Sequence, residues 1–229
     1  MVGARCRAVA RLAEGERCIV VASARSLLRR VPPAGSGYWA SSTFAVGDEV
    51  PFDEVPALLV GMGYADNGEV DVPGSFHVHG DAADVFPAQA TTPVRIEFFG
   101  DEIDRVRRMV AATGQTIGEL TSVTVSPCRE MALTDETVAR AEEALYARAQ
   151  NDNALAADLE LIGARAAQPA LERYLPELYG GTATPIDHAS ANTLVVLAEP
   201  RALFDDCLRA ADEVEQAATA ARVSTKGLY

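Results

Sequence analysis

The spacing of apolar positions changes along the chain, and each change predicts a different kind of element. Residues 3–13 place Val9, Leu12 and Ala13 among arginines in the manner of a helix, and Gly15 stops it. Arg17–Ser23 follows as a bare apolar run, Cys-Ile-Val-Val-Ala, which predicts a strand buried on both faces, as in parallel sheets. Ser26–Val31 gives a helical turn ended by Pro32-Pro33, and Ala34–Ser42 is a Gly/Ser-rich loop. From Phe52 to Met62 the apolar positions Phe52, Val55, Leu58, Leu59 and Met62 return to helical spacing.

The next stretch is different in kind. Ser75–His79, Ala83–Phe86, Val94–Phe99, Ile103–Met109 and Ser122–Val125 are short alternating runs between turn residues. Val94, Ile96 and Phe98 share one face while Arg95, Glu97 and Phe99 share the other, and Gly100-Asp101 has the spacing of a tight hairpin. This predicts an antiparallel meander. Residues 134–167 then read as two helices divided at Asn151-Asp152-Asn153, with Thr134, Asp135 and Glu136 suited to a helix start. Leu194–Ala198 is a second bare apolar strand, and Pro200 opens a helix with the stripe Leu203, Cys207, Leu208, Ala211 and Val214.

The order predicts an α/β protein in two parts. Residues 1–44 and 131–229 pair into a discontinuous domain with an incomplete parallel sheet, and residues 45–130 form an inserted α+β domain on an antiparallel sheet.

Composition narrows the function classes. The net charge is −13, which argues against a stand-alone binder of nucleic-acid backbone, since phosphate neutralisation needs a basic surface. Four scattered cysteines, Cys6, Cys18, Cys128 and Cys207, have no zinc or redox spacing and fit a reduced, cytoplasmic protein. The apolar runs are too short to cross a bilayer, and the N-terminus lacks the apolar core of a signal peptide.

Candidate chemistry is sparse. A P-loop needs Gly-x-x-x-x-Gly-Lys-Ser/Thr, yet the sole lysine is Lys226, preceded by Thr225. Leu194–Glu199 resembles a Walker B strand, but Ala198 stands at the first acid and only Glu199 remains, so it reads as a buried strand and a helix cap. His77 and His79 project from one strand face and could begin a metal site with Asp81 or Asp84, which equally suit a turn and a sheet edge. His188, in a polar turn, reads as a solvated side chain. No nucleophile elbow is present, and the acidic doublets read as solvated turns and helix starts. Arg95, Arg105, Arg107 and Arg108 flank the hairpin. They form either a basic strip for a protein partner or cross-strand pairs with Glu97, Glu102 and Asp104.

The run Pro73–Pro87 (PGSFHVHGDAADVFP) followed by Pro93–Asp104 (PVRIEFFGDEID) closely resembles the UvrA-interacting domain shared by the excinuclease component UvrB and the transcription-repair coupling factors. Ile19–Pro33, Leu171–Tyr179 and Val195–Pro200 are similar to the coupling factors; UvrB would carry a tyrosine hairpin after its strand. The resemblance implies a degenerate, helicase-like UvrB module that docks UvrA and hydrolyses no ATP. ATP and magnesium, RNA polymerase and DNA then belong to a motor and other domains outside this fragment, which could also mask the docking surface. The alternative is a fragment of UvrB itself, the ATP-dependent, damage-recognising excinuclease component. The family meets UvrA largely through arginines, and the matching positions here are Asp66, His77 and His79. An arginine fork is thus replaced by an acid and two weaker donors. Asp66, His77, His79, Phe86, Arg95 and Arg105 are the expected partner-binding residues, with contact either weakened, shifted to Arg95 and Arg105, or matched by changes on UvrA.

Overall fold

The computed structural model describes residues 2–166 and 168–221; Thr225 and Lys226 lie outside them. The helices are α1 (Val2–Ala13), α2 (Ala24–Leu27), α3 (Val55–Gly61), α4 (Asp135–Ala149), α5 (Asn153–Gly163), α6 (Leu175–Tyr179) and α7 (Pro200–Ala221). The strands are β1 (Ser42–Ala45), β2 (Ala65–Asp66), β3 (Ser75–His79), β4 (Ala82–Val85), β5 (Val94–Phe99), β6 (Glu102–Met109), β7 (Thr116–Leu120) and β8 (Ser122–Val125). Contacts divide the chain into two compact units. Of the described residues, the first holds 2–10 and 38–134, the second 11–37, 135–166 and 168–221.

The first unit is a mixed α/β body. Six strands lie in the order β2-β3-β4-β5-β6-β7, all neighbours antiparallel except the parallel pair β2–β3. β1 and β8 form a separate antiparallel pair. The alternation in β5 lands as its pattern requires, with Val94, Ile96 and Phe98 buried and Phe99 exposed. Gly100 turns the β5–β6 hairpin at φ 66°, a left-handed conformation open to glycine at no steric cost. Phe76, Val85, Ile96, Ile103 and Val106 from the sheet join Val55 and Leu59 of α3 in one core with Phe44 and Val125. Packing therefore buries one face of the sheet, whereas most side chains of the opposite face, though not Ala82 or Asp84, keep some exposure.

Residues 2–10 of α1 belong with this unit, which the apolar pattern alone does not reveal. The Arg5 guanidinium pairs with the fully buried Glu130 carboxylate through two arms, Nε to Oε1 and Nη2 to Oε2, the latter at 2.7 Å. Gln89 Nε2 adds a 2.8 Å bond to the Gly3 carbonyl. The inserted segment expected at 45–130 thus lies inside a larger unit.

The second unit is helical. Asp152 divides α4 from α5 by accepting from the Ala154 and Leu155 amides at 3.0 and 3.1 Å. α4 packs on α5 and α6, and α2 packs on α7. In α7 the less exposed positions are Leu203, Cys207, Ala210, Ala211 and Val214, whereas Leu208 of the expected stripe is exposed.

The incomplete parallel sheet expected from the flanks is not formed among the described residues. Among the described residues Arg17–Ser23 and Leu194–Ala198 adopt no strand, and Ile19 is 95% and Leu194 86% exposed. Their apolar pattern suits a strand with ladder partners on both sides, and without them neither backbone pairing nor side-chain burial is available. Glu199, the Walker-B-like acid, is exposed at φ 48° rather than closing a strand. No helix among the described residues is long and apolar enough to cross a membrane.

His188 also departs from expectation. Its ring is buried rather than solvated, and Nε2 donates to the Pro32 carbonyl at 3.1 Å. Burial pushes its pKa below the ordinary 6.5, so the folded state favours the neutral ring. That contribution to stability is fully present above the ordinary value and is lost as pH falls from there toward the lowered one. Thermal melts between pH 8 and 5 should show the second unit weakening on the acid side, by at most about 1.4 kcal/mol for each pH unit between the two values. His188→Gln should flatten that part of the profile; an unchanged slope would remove His188 as its source.

Candidate docking face

The hairpins fix which side chains reach the open face of the sheet. His77 lies opposite Asp84, Asp84 opposite Arg95, Arg95 opposite Arg107, and Arg107 opposite Glu119. Directly opposed residues point the same way, so these form one row across five strands. A second row runs His79, Ala82, Glu97, Arg105. β2 adds Asp66 at the sheet edge beside β3.

Most charges in this array are matched within it. Asp66 Oδ1 sits 3.0 Å from His77 Nδ1 and also accepts from the Gly68 amide at 3.0 Å. The Gly68 bond is the largest cause holding the Asp66 carboxyl below its usual range, with the His77 contact adding to it. The His77 and His79 rings stack with centroids 5.8 Å apart and planes 28° from parallel. His79 Nε2 reaches diagonally to Asp84 Oδ2 at 3.2 Å. Arg95 grips the same carboxylate with Nε on Oδ1 and Nη2 on Oδ2, both at 2.7 Å. That bidentate bond is the main cause raising the Arg95 pKa, and it keeps the guanidinium charged. Arg107 pairs across the strand with Glu97, and Arg105 pairs with Asp104 at 3.4 Å, both partners well exposed.

Of the expected partner-binding residues, Asp66, His77, His79, Arg95 and Arg105 come together on this face. Phe86 does not. Its ring is buried, and its backbone bonds to Ser75 and Gly74 beside the start of β3, so it offers no exposed contact. Between the two readings of the arginine row, the pairing with carboxylates describes Arg95, Arg105 and Arg107. Arg108 is exposed at the same strand's far end. Phe99, 83% exposed at the hairpin tip, is a contact candidate that the expected set omits. Exposed aromatics are favoured at protein interfaces, and alternation along β5 is the signal that places it outward.

The two imidazoles carry their own carboxylate partners, and among the described residues no group of three or more His, Cys, Asp or Glu side chains is arranged to hold a metal ion.

Residues 43–131 match the family model described as the UvrB interaction domain. Over these residues the chain is similar to a UvrB interaction domain. That span holds the sheet, α3 and the whole of the open face. Over a longer span the chain is 31% identical to the transcription-repair-coupling factor of Bacillus subtilis across 211 residues, 82% of the chain and 17% of the relative. The coupling factor of Myxococcus xanthus is 39% identical over 150 residues, 65% of the chain and 12% of the relative. The UvrABC system protein B of Clostridium beijerinckii is 41% identical over 96 residues, 42% of the chain and 15% of that protein. The chain thus spans less than a fifth of the coupling factors named here. Likeness to the B. subtilis coupling factor continues through the flanks around the UvrB interaction domain, whereas likeness to the C. beijerinckii protein covers under half the chain.

Proposed function

We propose that this chain is a non-enzymatic docking fragment of a transcription-repair coupling factor, working in the cytoplasm and recruiting the excision-repair protein UvrA through the open face of its UvrB interaction domain. The observation that carries the reading is the match over residues 43–131 to that domain, on a sheet that buries one face and displays Asp66, His77, His79, Arg95 and Arg105 on the other. RNA polymerase, DNA, ATP and magnesium enter this reading only through other segments of a longer protein. The motif-level absence of a P-loop lysine supports the lack of ATP hydrolysis.

The test is titration of the chain with the cognate UvrA by calorimetry, beside phosphate release from ATP. A complex at micromolar concentration is expected, with phosphate release no faster than the blank. Changing His77 and His79 together to arginine should tighten the complex by roughly tenfold, because a guanidinium offers a planar fork of donors where an imidazole offers one. Failure of the parent chain to bind at micromolar UvrA would overturn the docking function, and ATP turnover would overturn the non-enzymatic part.

A further inference from the structure

Asp84 stands apart from the other acids of the face. It is 6% exposed, yet it accepts from two basic side chains on two different strands. Its neighbours across the ladders are His77 on β3 and Arg95 on β5, so it sits between two basic residues in the first cross-strand row. Arg107, opposite Arg95, is bound to Glu97, and His77 to Asp66, which leaves Asp84 shared by Arg95 and His79. A carboxylate engaged on both oxygens by a guanidinium fixes the plane and direction of that group, not merely its charge. The Arg95 Nη1 amine is not used in this pairing, and the side chain is only partly exposed.

We infer that Asp84 is a positioning residue of the docking face, whose buried carboxylate holds Arg95 and His79 at the fixed places from which they meet UvrA. This rests on the docking reading above. The role differs from that of a contact residue, because Asp84 itself is covered and acts through the two groups it orients. Holding them before the encounter removes the entropy loss of ordering a long arginine side chain on binding. It also accounts for a face that keeps basic donors for a partner while the chain as a whole carries −13.

The experiment compares the parent chain with Asp84→Asn, Arg95→Lys and the double variant, read in two ways. The first is the Arg95 Nε–H resonance, whose slow exchange with water reports the bond to Asp84 without any partner. The second is affinity for the cognate UvrA. Asp84→Asn should lose the protected Nε–H signal and weaken binding by roughly tenfold or more, the worth of a charge-assisted hydrogen bond. Arg95→Lys keeps the charge but not the fork, and should weaken binding to a similar degree. In the double variant the losses should fall well short of adding, since both act through one contact. Should Asp84→Asn fail to fold, Arg95→Lys carries the test alone. Parent-like affinity in either folded single variant would overturn the positioning role while leaving UvrA docking intact. If the parent chain itself does not bind UvrA, the docking reading falls and this inference with it, whatever the Nε–H signal shows.

Discussion

Arg5→Ala is expected to destabilise the first unit by about 3–5 kcal/mol, read as a lower urea midpoint. The reason lies in what remains. Glu130 is fully buried, and removal of the guanidinium strips its carboxylate of a two-armed ionic partner in a place water does not reach. The attraction within such a pair largely offsets the cost of burying both charges, so the damage from losing one side exceeds the worth of the pair. The double variant Arg5→Ala with Glu130→Gln should therefore recover much of the loss. A loss under about 1 kcal/mol in the single variant, the value of a surface pair, would mean that Glu130 finds enough solvent or other partners to manage alone. The same variant should loosen the hold on α1, because residues 2–10 belong to this unit while being distant from it in sequence.

What can be read in advance follows from how local each signal is. Alternation in β5 and the Gly100-Asp101 turn lie within a dozen residues, and both appear as the pattern requires. The hub at Asp84 is equally within reach. Gly80-Asp81 between β3 and β4 sets His79 opposite Ala82 and therefore His77 opposite Asp84, so the register names the neighbours. Weighing Asp84 only as a metal ligand or a sheet-edge acid misses this. Arg5 and Glu130 are 125 positions apart, and no local pattern could pair them. The flanking strands fail for the opposite reason. Cys18–Ala22 and Leu194–Ala198 carry all the local marks of buried strands, but a strand exists only through its neighbours, and among the described residues none pairs with them. Phe86 lies between these cases, a motif residue at the end of β4 whose burial no alternation of its own run declares.

The proposed docking face is therefore built from below, and Phe76 shows how steeply the two sides of the sheet differ. Phe76 and His77 are adjacent on β3, and the period of two sends one ring into the core and the other to the open face. Phe76→Ala is expected to cost about 3–5 kcal/mol, from lost transfer of a fully buried ring plus the cavity left behind. For a unit whose whole stability is of order 5–15 kcal/mol, this takes a large share. His77→Ala should cost at most about 1 kcal/mol, the upper range for a partly exposed ion pair such as the one with Asp66. Urea titrations of both variants measure the contrast. UvrA affinity should rank them the other way when each is tested well below its melting point, because His77 touches the open face and Phe76 only supports it. Equal stability losses would place the two rings in similar surroundings and remove the one-sided packing on which the docking face depends.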